Sequence, residues 1–149
     1  MAALLSAAML LFTANALAAA PASSIPADKL VQPAAFAAQL KDASAPKPLM
    51  LNVGFKTMFD QAHIPGSEYA GPGNTAAGLQ VLRDRVASLP KNAAIMIYCG
   101  CCPWSRCPNM GAAYATLVEL GFTNVTAMQI NENFGVDWVD KGFPTAKTQ

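Results

Sequence analysis

The chain has 149 residues, of which 53% are hydrophobic and 13% are charged, and its formal net charge is +1. A chain of this length supports one hydrophobic core of ordinary size and leaves little room for a second domain. Its lysine and arginine residues form no cluster, so the composition argues against nucleic acid or an acidic membrane surface as the partner.

Residues 1–20 have the pattern of a secretory signal peptide. They contain no charged residue, and an apolar run over residues 7–12 is followed by Ala-x-Ala sites that fit signal cleavage. The run is shorter than the roughly 20 apolar residues that span a bilayer, which disfavours a membrane anchor. We therefore expect an exported, periplasmic protein without membrane association after cleavage, with a flexible linker rich in Pro, Ala and Ser over residues 21–29 and one domain over residues 30–149.

The first half of this domain is predicted to contain a short helix followed by a buried strand. Pro33 suits the first position of a helix, and Phe36 and Leu40 lie four residues apart on one face of it. The apolar run over residues 49–53 then predicts a buried strand that ends at Gly54. The next turn signal is the Pro-Gly pair within residues 64–66.

The second half of the domain alternates helices with strands. Apolar residues three and four apart predict a helix over residues 79–89, and a continuous apolar run predicts a central strand over residues 94–98. Another apolar stripe over residues 113–120 predicts a helix closed by Gly121, and residues 125–128 predict the next strand. This alternation indicates an α/β fold: a single domain with a mostly parallel central sheet flanked by helices.

All four cysteines lie in the loop between the predicted central strand and the following helix. Residues 99–109 read Cys-Gly-Cys-Cys-Pro-Trp-Ser-Arg-Cys-Pro-Asn. In sheets of this kind, reactive groups gather at the carboxyl ends of the strands, where loop amides and a helix N-terminus stabilise a thiolate. The loop is therefore the predicted location of any chemistry.

Several landmarks along the chain resemble those of rhodanese-like domains. They are Ala-His-Ile-Pro-Gly at residues 62–66, the strand that ends at Cys99, Gly-Phe-Thr-Asn-Val at residues 121–125, and Trp-Val-Asp-Lys-Gly-Phe-Pro at residues 138–144. The resemblance covers residues 30–144. It implies a sulfurtransferase, in which a cysteine after the fourth strand takes the outer sulfur of a small donor anion such as thiosulfate and passes this persulfide sulfur to a thiol acceptor.

The resemblance leaves two candidates for the catalytic cysteine. Cys99 stands where the family's nucleophile leaves the strand, whereas Cys101 has the customary five-residue step to an arginine, Arg106. We favour Cys99, because placement in the fold constrains a nucleophile more than distance to a mobile cation does. The sequence departs from the family at Asn52 and Gly54, where an acidic residue and an arginine are usual.

Three further residues of the loop are predicted to bind the substrate, namely Gly100, Trp104 and Arg106. The guanidinium group of Arg106 would hold the charged end of a donor anion, and Trp104 would form a wall of the pocket. The sequence is equally compatible with a surface arginine and with a tryptophan that packs on the core.

Other roles for the cysteines stay open. Cys102 and Cys107 suit a disulfide or redox role, since four cysteines in an exported chain allow several pairings. Cys99-x-x-Cys102, between a strand and a helix, matches the motif of dithiol oxidoreductases such as thioredoxin, so thiol-disulfide exchange is the main alternative to sulfur transfer. A third hypothesis is a non-catalytic protein that keeps the rhodanese-like fold and binds thiols or metals.

We predict neither a metal site nor a cofactor. The thiols would suit Cu(I) or zinc, but zinc sites usually draw their ligand pairs from two separated turns. No glycine-rich phosphate loop is present, so a nucleotide or flavin cofactor is not expected. His63, the only histidine, lies in an Ile-Pro-Gly turn and is expected to make a structural hydrogen bond.

Overall fold

The protein is built on one sheet of five parallel strands, which confirms the predicted α/β class. The computed structural model describes residues 21–148, so the predicted signal peptide lies outside the described residues. The strands are β1 (Leu30–Val31), β2 (Leu49–Asn52), β3 (Glu68–Tyr69), β4 (Ile95–Tyr98) and β5 (Val125–Met128), and their order across the sheet is β1-β5-β4-β2-β3. Every pairing between neighbouring strands is parallel.

Helices connect the strands and cover both faces of the sheet. They are α1 (Pro33–Lys41), α2 (Lys56–Gln61), α3 (Ala76–Val86) and α4 (Met110–Glu119), with a π-helical turn at Gly135–Val139. The three helices predicted from apolar periodicity are confirmed. The sequence analysis missed α2 and the two-residue strands β1 and β3, because such short elements offer too few residues for a period to be recognised. Within residues 21–148, every helix is too short or too polar to cross a bilayer.

The central strand β4 divides the apolar interior into two cores. Ile95 and Ile97 point towards the core that contains the buried faces of α3 and α4. Met96 and Tyr98 point the other way, into a second core built around Trp138. Because successive side chains of a strand alternate between faces, all four residues of β4 are buried, as expected for the middle of a sheet covered on both sides.

The segment before β1 differs from the flexible linker predicted for residues 21–29. It forms two 3-10 turns, Ala22–Ser24 and Ala27–Lys29, and the first of these contacts α4. Ala22 is 1% exposed and Ile25 is 5% exposed, and both belong to the core on the α3 and α4 side. The composition of the segment predicted a linker, and in this structure two of its apolar side chains pack against the domain.

The strand order opens a crevice between β2 and β4. The chain leaves β2 towards β3 at one edge of the sheet, whereas it leaves β4 towards β5 on the opposite side. The two connections therefore diverge above neighbouring strands. In open parallel sheets, ligands bind at such a point, outside the carboxyl ends of the strands.

Candidate functional site

A pocket of about 250 Å³ lies at this crevice. The lining comes from the end of β2 and the residues after it, from the residues that follow β4, and from a segment that follows β5. The full lining is Asn52, Gly54, Phe55, Met58, Gln61, Ala62, Cys99, Gly100, Cys101, Asn133, Phe134, Gly135 and Val139. None of these residues carries a charge. The pocket therefore offers a donor or acceptor molecule polar amides, apolar side chains and two thiols.

Both cysteines predicted as catalytic, Cys99 and Cys101, line this pocket. Cys99 is the first residue after β4 and is 4% exposed, so its thiol lies at the inner wall. Cys101 is partly exposed. Opposite them, Gly54 has no side chain: a Cβ atom there would stand 3.0 Å from the Sγ of Cys99. The departure from the family at this position thus lets the backbone after β2 approach the thiol more closely than a residue with a side chain would allow.

Gly100 joins the two cysteines and contributes backbone to the pocket wall. Its φ of +117° is unfavourable for residues with a side chain, and a Cβ atom at this position would lie 2.6 Å from the Cβ of Phe134. The Gly100 carbonyl accepts a hydrogen bond from the backbone N–H of Phe134 at 3.1 Å. Gly100 therefore allows the cysteine loop to lie directly against the chain segment that forms the far side of the pocket.

The thiols form a compact group. The Sγ atoms of Cys99, Cys101 and Cys107 all lie within 4.8 Å of one another. The separation between Cys99 and Cys101 is 3.4 Å, and Cys101 lies 2.9 Å from Cys102. Cys102 is outside the group of three, and its thiol faces the carbonyl of Arg106 at 3.8 Å. Cys101 thus contacts both Cys99 and Cys102, an arrangement that does not favour a Cys99–Cys102 redox pair.

The surroundings of the thiols shift the pKa values of Cys99 and Cys107 in opposite directions. Hydrogen bonds from Cys101 and Cys99 lower the pKa of Cys107 below its ordinary value, and the backbone amides of Asn109 and Met110 at the start of α4 lower it further. The contact with Cys101 by itself lowers the pKa of Cys99. Hydrogen bonding to Cys107, burial and the nearby charge of Cys107 outweigh that effect and raise the pKa of Cys99 to about 12. Negative charge in the group is therefore held best at Cys107, beside the N-terminus of α4.

Asn109 is a site residue that the sequence analysis did not single out. Its side chain is fully buried, and its Nδ2 donates towards the Sγ of Cys99 at 3.4 Å and the Sγ of Cys101 at 3.5 Å. Its Oδ1 accepts the backbone N–H of Asn74 at 3.1 Å. The residue thus ties two thiols to the chain before α3. Nothing in the sequence distinguished this asparagine from an ordinary loop residue.

Trp104 and Arg106, two of the predicted substrate-binding residues, do not line the pocket. Trp104 is partly buried and packs against the core on the α3 and α4 side, and Arg106 is exposed in the 3-10 turn Trp104–Arg106. The backbone N–H groups of Trp104, Arg106 and Cys107 donate to backbone carbonyls. These amides are therefore engaged within the fold and not directed at a ligand above Cys99.

His63 has a structural role, as the sequence suggested. Its Nδ1 lies 2.8 Å from the carbonyl of Phe59, and its ring stacks on that phenyl ring at a centroid distance of 4.1 Å. Its backbone pairs with Ala146 in an isolated bridge. The imidazole is outside the residues that line the pocket, so a Cys/His dyad does not form.

Comparison with known proteins identifies the fold. No family model and no curated protein matches the sequence. The rhodanese-like domain of the Anabaena sp. Alr3790 protein matches with a TM-score of 0.61 at 21% identity over 80% of this chain and 79% of that one. The BH2092 protein of Bacillus halodurans matches with a TM-score of 0.60 at 21% identity over 79% of this chain and 76% of that one. The Saccharomyces cerevisiae single-domain sulfurtransferase RDL2 matches with a TM-score of 0.55 at 15% identity over 88% of this chain and 95% of that one. The chain therefore has the rhodanese-like fold.

Proposed function

We propose that this protein transfers sulfane sulfur and carries it as a persulfide on Cys99. The observation that carries the proposal is the position of Cys99, which directly follows the central strand of a rhodanese-like fold and lines the pocket between β2 and β4. The thiols of Cys99 and Cys101 are the nucleophilic groups in the lining of this pocket.

The reaction has two displacement steps. As the thiolate of Cys107 takes up the proton of the Cys99 thiol, the sulfur of Cys99 attacks the outer sulfur of the donor. The donor's sulfur–sulfur bond breaks, and the rest of the donor leaves with the electron pair: sulfite when the donor is thiosulfate, a thiolate when it is a persulfide. The thiolate of the acceptor then attacks the outer sulfur of the Cys99 persulfide and releases the Cys99 thiolate. No oxidant or reductant is required, because the transferred atom is sulfane sulfur in the donor, in the Cys99 persulfide and in the product.

The lining of the pocket bears on the choice of donor. It contains no cationic residue, and Arg106 lies outside it, so the charge of a thiosulfate-like anion would be met only by amides such as those of Asn52 and Asn133. At the rim, Phe55 is 44% exposed and Met58 is 38% exposed. We therefore expect a persulfide donor with apolar groups around its sulfur to load Cys99 faster than thiosulfate does.

The test is a single-turnover loading experiment on reduced protein. After incubation with thiosulfate or with a low-molecular-weight persulfide, intact mass should rise by one sulfur atom, and peptide mapping should place that atom on Cys99. The Cys99→Ser variant should lose the adduct. Cys102→Ser, which removes a thiol outside the pocket lining, is the matched control and should keep it.

Each other outcome selects an alternative. Loading that survives Cys99→Ser and is lost in Cys101→Ser would move the nucleophile to Cys101. No adduct with either donor would favour the non-catalytic binding protein. Efficient reduction of insulin by the dithiol form, with no sulfur adduct, would favour thiol-disulfide exchange. Export to the periplasm stays a prediction that rests on residues 1–20, and fractionation of the producing cells would test it.

A further inference from the structure

The three-sulfur group has a geometry that sulfur transfer does not require. Persulfide chemistry needs one nucleophilic thiol, and a disulfide would join only two. Here the Sγ atoms of Cys99, Cys101 and Cys107 converge within 4.8 Å, from the end of β4 and from the residues just before α4. Cys99 and Cys107 are each 4% exposed and Cys101 is partly exposed, so two of the three sulfurs are buried.

Three converging sulfurs match the coordination shell of a single soft metal ion. Sulfurs placed about 2.3 Å from a central ion in a trigonal arrangement are about 4 Å apart. The separation of 3.4 Å between Cys99 and Cys101, and the limit of 4.8 Å for the whole group, bracket this value. Adjustments of a few tenths of an ångström per side chain would therefore close the shell without a change in the backbone.

The surroundings suit a cluster of thiolates. One amide group points at two of the sulfurs: the Nδ2 of Asn109 lies 3.4 Å from the Sγ of Cys99 and 3.5 Å from the Sγ of Cys101. Cys107 stands three residues before the first residue of α4, a helix of ten residues, whose N-terminus carries partial positive charge. These donors offset part of the negative charge that three bound thiolates would bring into a buried site.

We propose that Cys99, Cys101 and Cys107 form a three-thiolate binding site for Cu(I). Soft thiolate ligands select Cu(I), and a shell of three ligands suits it, whereas structural zinc sites are almost always four-coordinate. Cys102 would be the fourth thiol for zinc. Its sulfur contacts Cys101 at 2.9 Å, but it is not among the sulfurs that all converge within 4.8 Å, and it faces the carbonyl of Arg106. Because Cys99 also carries the proposed persulfide, a bound ion and a persulfide exclude each other.

The test is an anaerobic titration of the reduced full-length protein with Cu(I), in competition with a chromogenic Cu(I) chelator. We expect one tightly bound equivalent and a sulfur-to-copper charge-transfer band in the ultraviolet. Cys107→Ser should weaken binding by more than the roughly 10- to 100-fold that loss of an outer-shell partner causes. Cys102→Ser is the matched control and should bind as the parent does.

Two results would overturn the site. One is a Cys102→Ser variant that loses as much affinity as Cys107→Ser, and the other is a Cys107→Ser variant that keeps the parent's affinity. X-ray absorption at the copper edge of the parent protein counts the sulfur ligands without any substitution, and a count of two would also refute the proposal. Sulfur loading is measured separately on metal-free protein, so failure of the copper site leaves the proposed transfer function untouched, and the reverse also holds.

Discussion

Gly100 provides a sharp test of how the cysteine loop is held against the pocket. In Gly100→Ala, the new Cβ atom would lie 2.6 Å from the Cβ of Phe134 and 3.1 Å from its backbone nitrogen, at a φ of +117°. The backbone conformation costs about 1–2 kcal/mol for a residue with a side chain. Forcing the loop and Phe134 apart costs about 1–3 kcal/mol more. We therefore expect the free energy of unfolding to fall by about 2–5 kcal/mol.

Gly142→Ala is the matched control for this substitution. Gly142 also has a positive φ, +70°, but a Cβ atom there would meet nothing within 4 Å. Only the backbone cost applies, and the reduced freedom of the unfolded chain offsets part of it, so the expected loss is about 1 kcal/mol. Urea unfolding followed by circular dichroism measures both variants, provided the slope with urea is unchanged. Equal losses in the two variants would refute the packing of Gly100 against Phe134.

Three other substitutions probe the surroundings of the site. Asn109→Ala removes the amide shared by two thiols and leaves the backbone N–H of Asn74 without its partner. The free energy of unfolding, measured by urea titration, should fall by about 1–3 kcal/mol. Tyr98→Phe removes a buried hydroxyl 2.7 Å from the Ser67 Oγ. The free energy of unfolding should fall by about 1 kcal/mol, which a lower melting temperature would reveal. Glu68→Gln breaks an exposed ion pair with Arg85 and should cost less than about 1 kcal/mol. Arg85 lowers the pKa of Glu68 below 4.5, so its contribution is present above that pH and fades as the pH falls through the lowered pKa; a deficit that persists in acid would contradict this.

The long elements could be predicted from the sequence because their patterns are continuous. The apolar run that predicted β4 and the spacing of Leu79, Leu82 and Val86 in α3 are local signals that the packing retained. Since β4 was placed correctly, Cys99 could be placed at the carboxyl end of the central strand. The fold and the position of the cysteine loop were therefore within reach of sequence reasoning.

The composition of the site depended on contacts between distant residues, which have no local signal. Asn109 meets Asn74 across 35 positions of the chain. The fold also decides where the side chains of one loop point, so Trp104 turns to the core although it lies only five residues after Cys99. Proximity in sequence suggested one binding surface, but only Cys99, Gly100 and Cys101 of that loop line the pocket.

The missing side chain of Gly54 has a steric consequence for the chemistry. The outer atom of a persulfide lies about 2.05 Å from the sulfur that bears it, and it needs a place among the walls that enclose Cys99. A methyl group on Gly54 would stand 3.0 Å from that sulfur, which is closer than an ordinary van der Waals contact. The proposed reaction adds one sulfur atom to Cys99, and a side chain at position 54 would crowd the thiol that has to carry it.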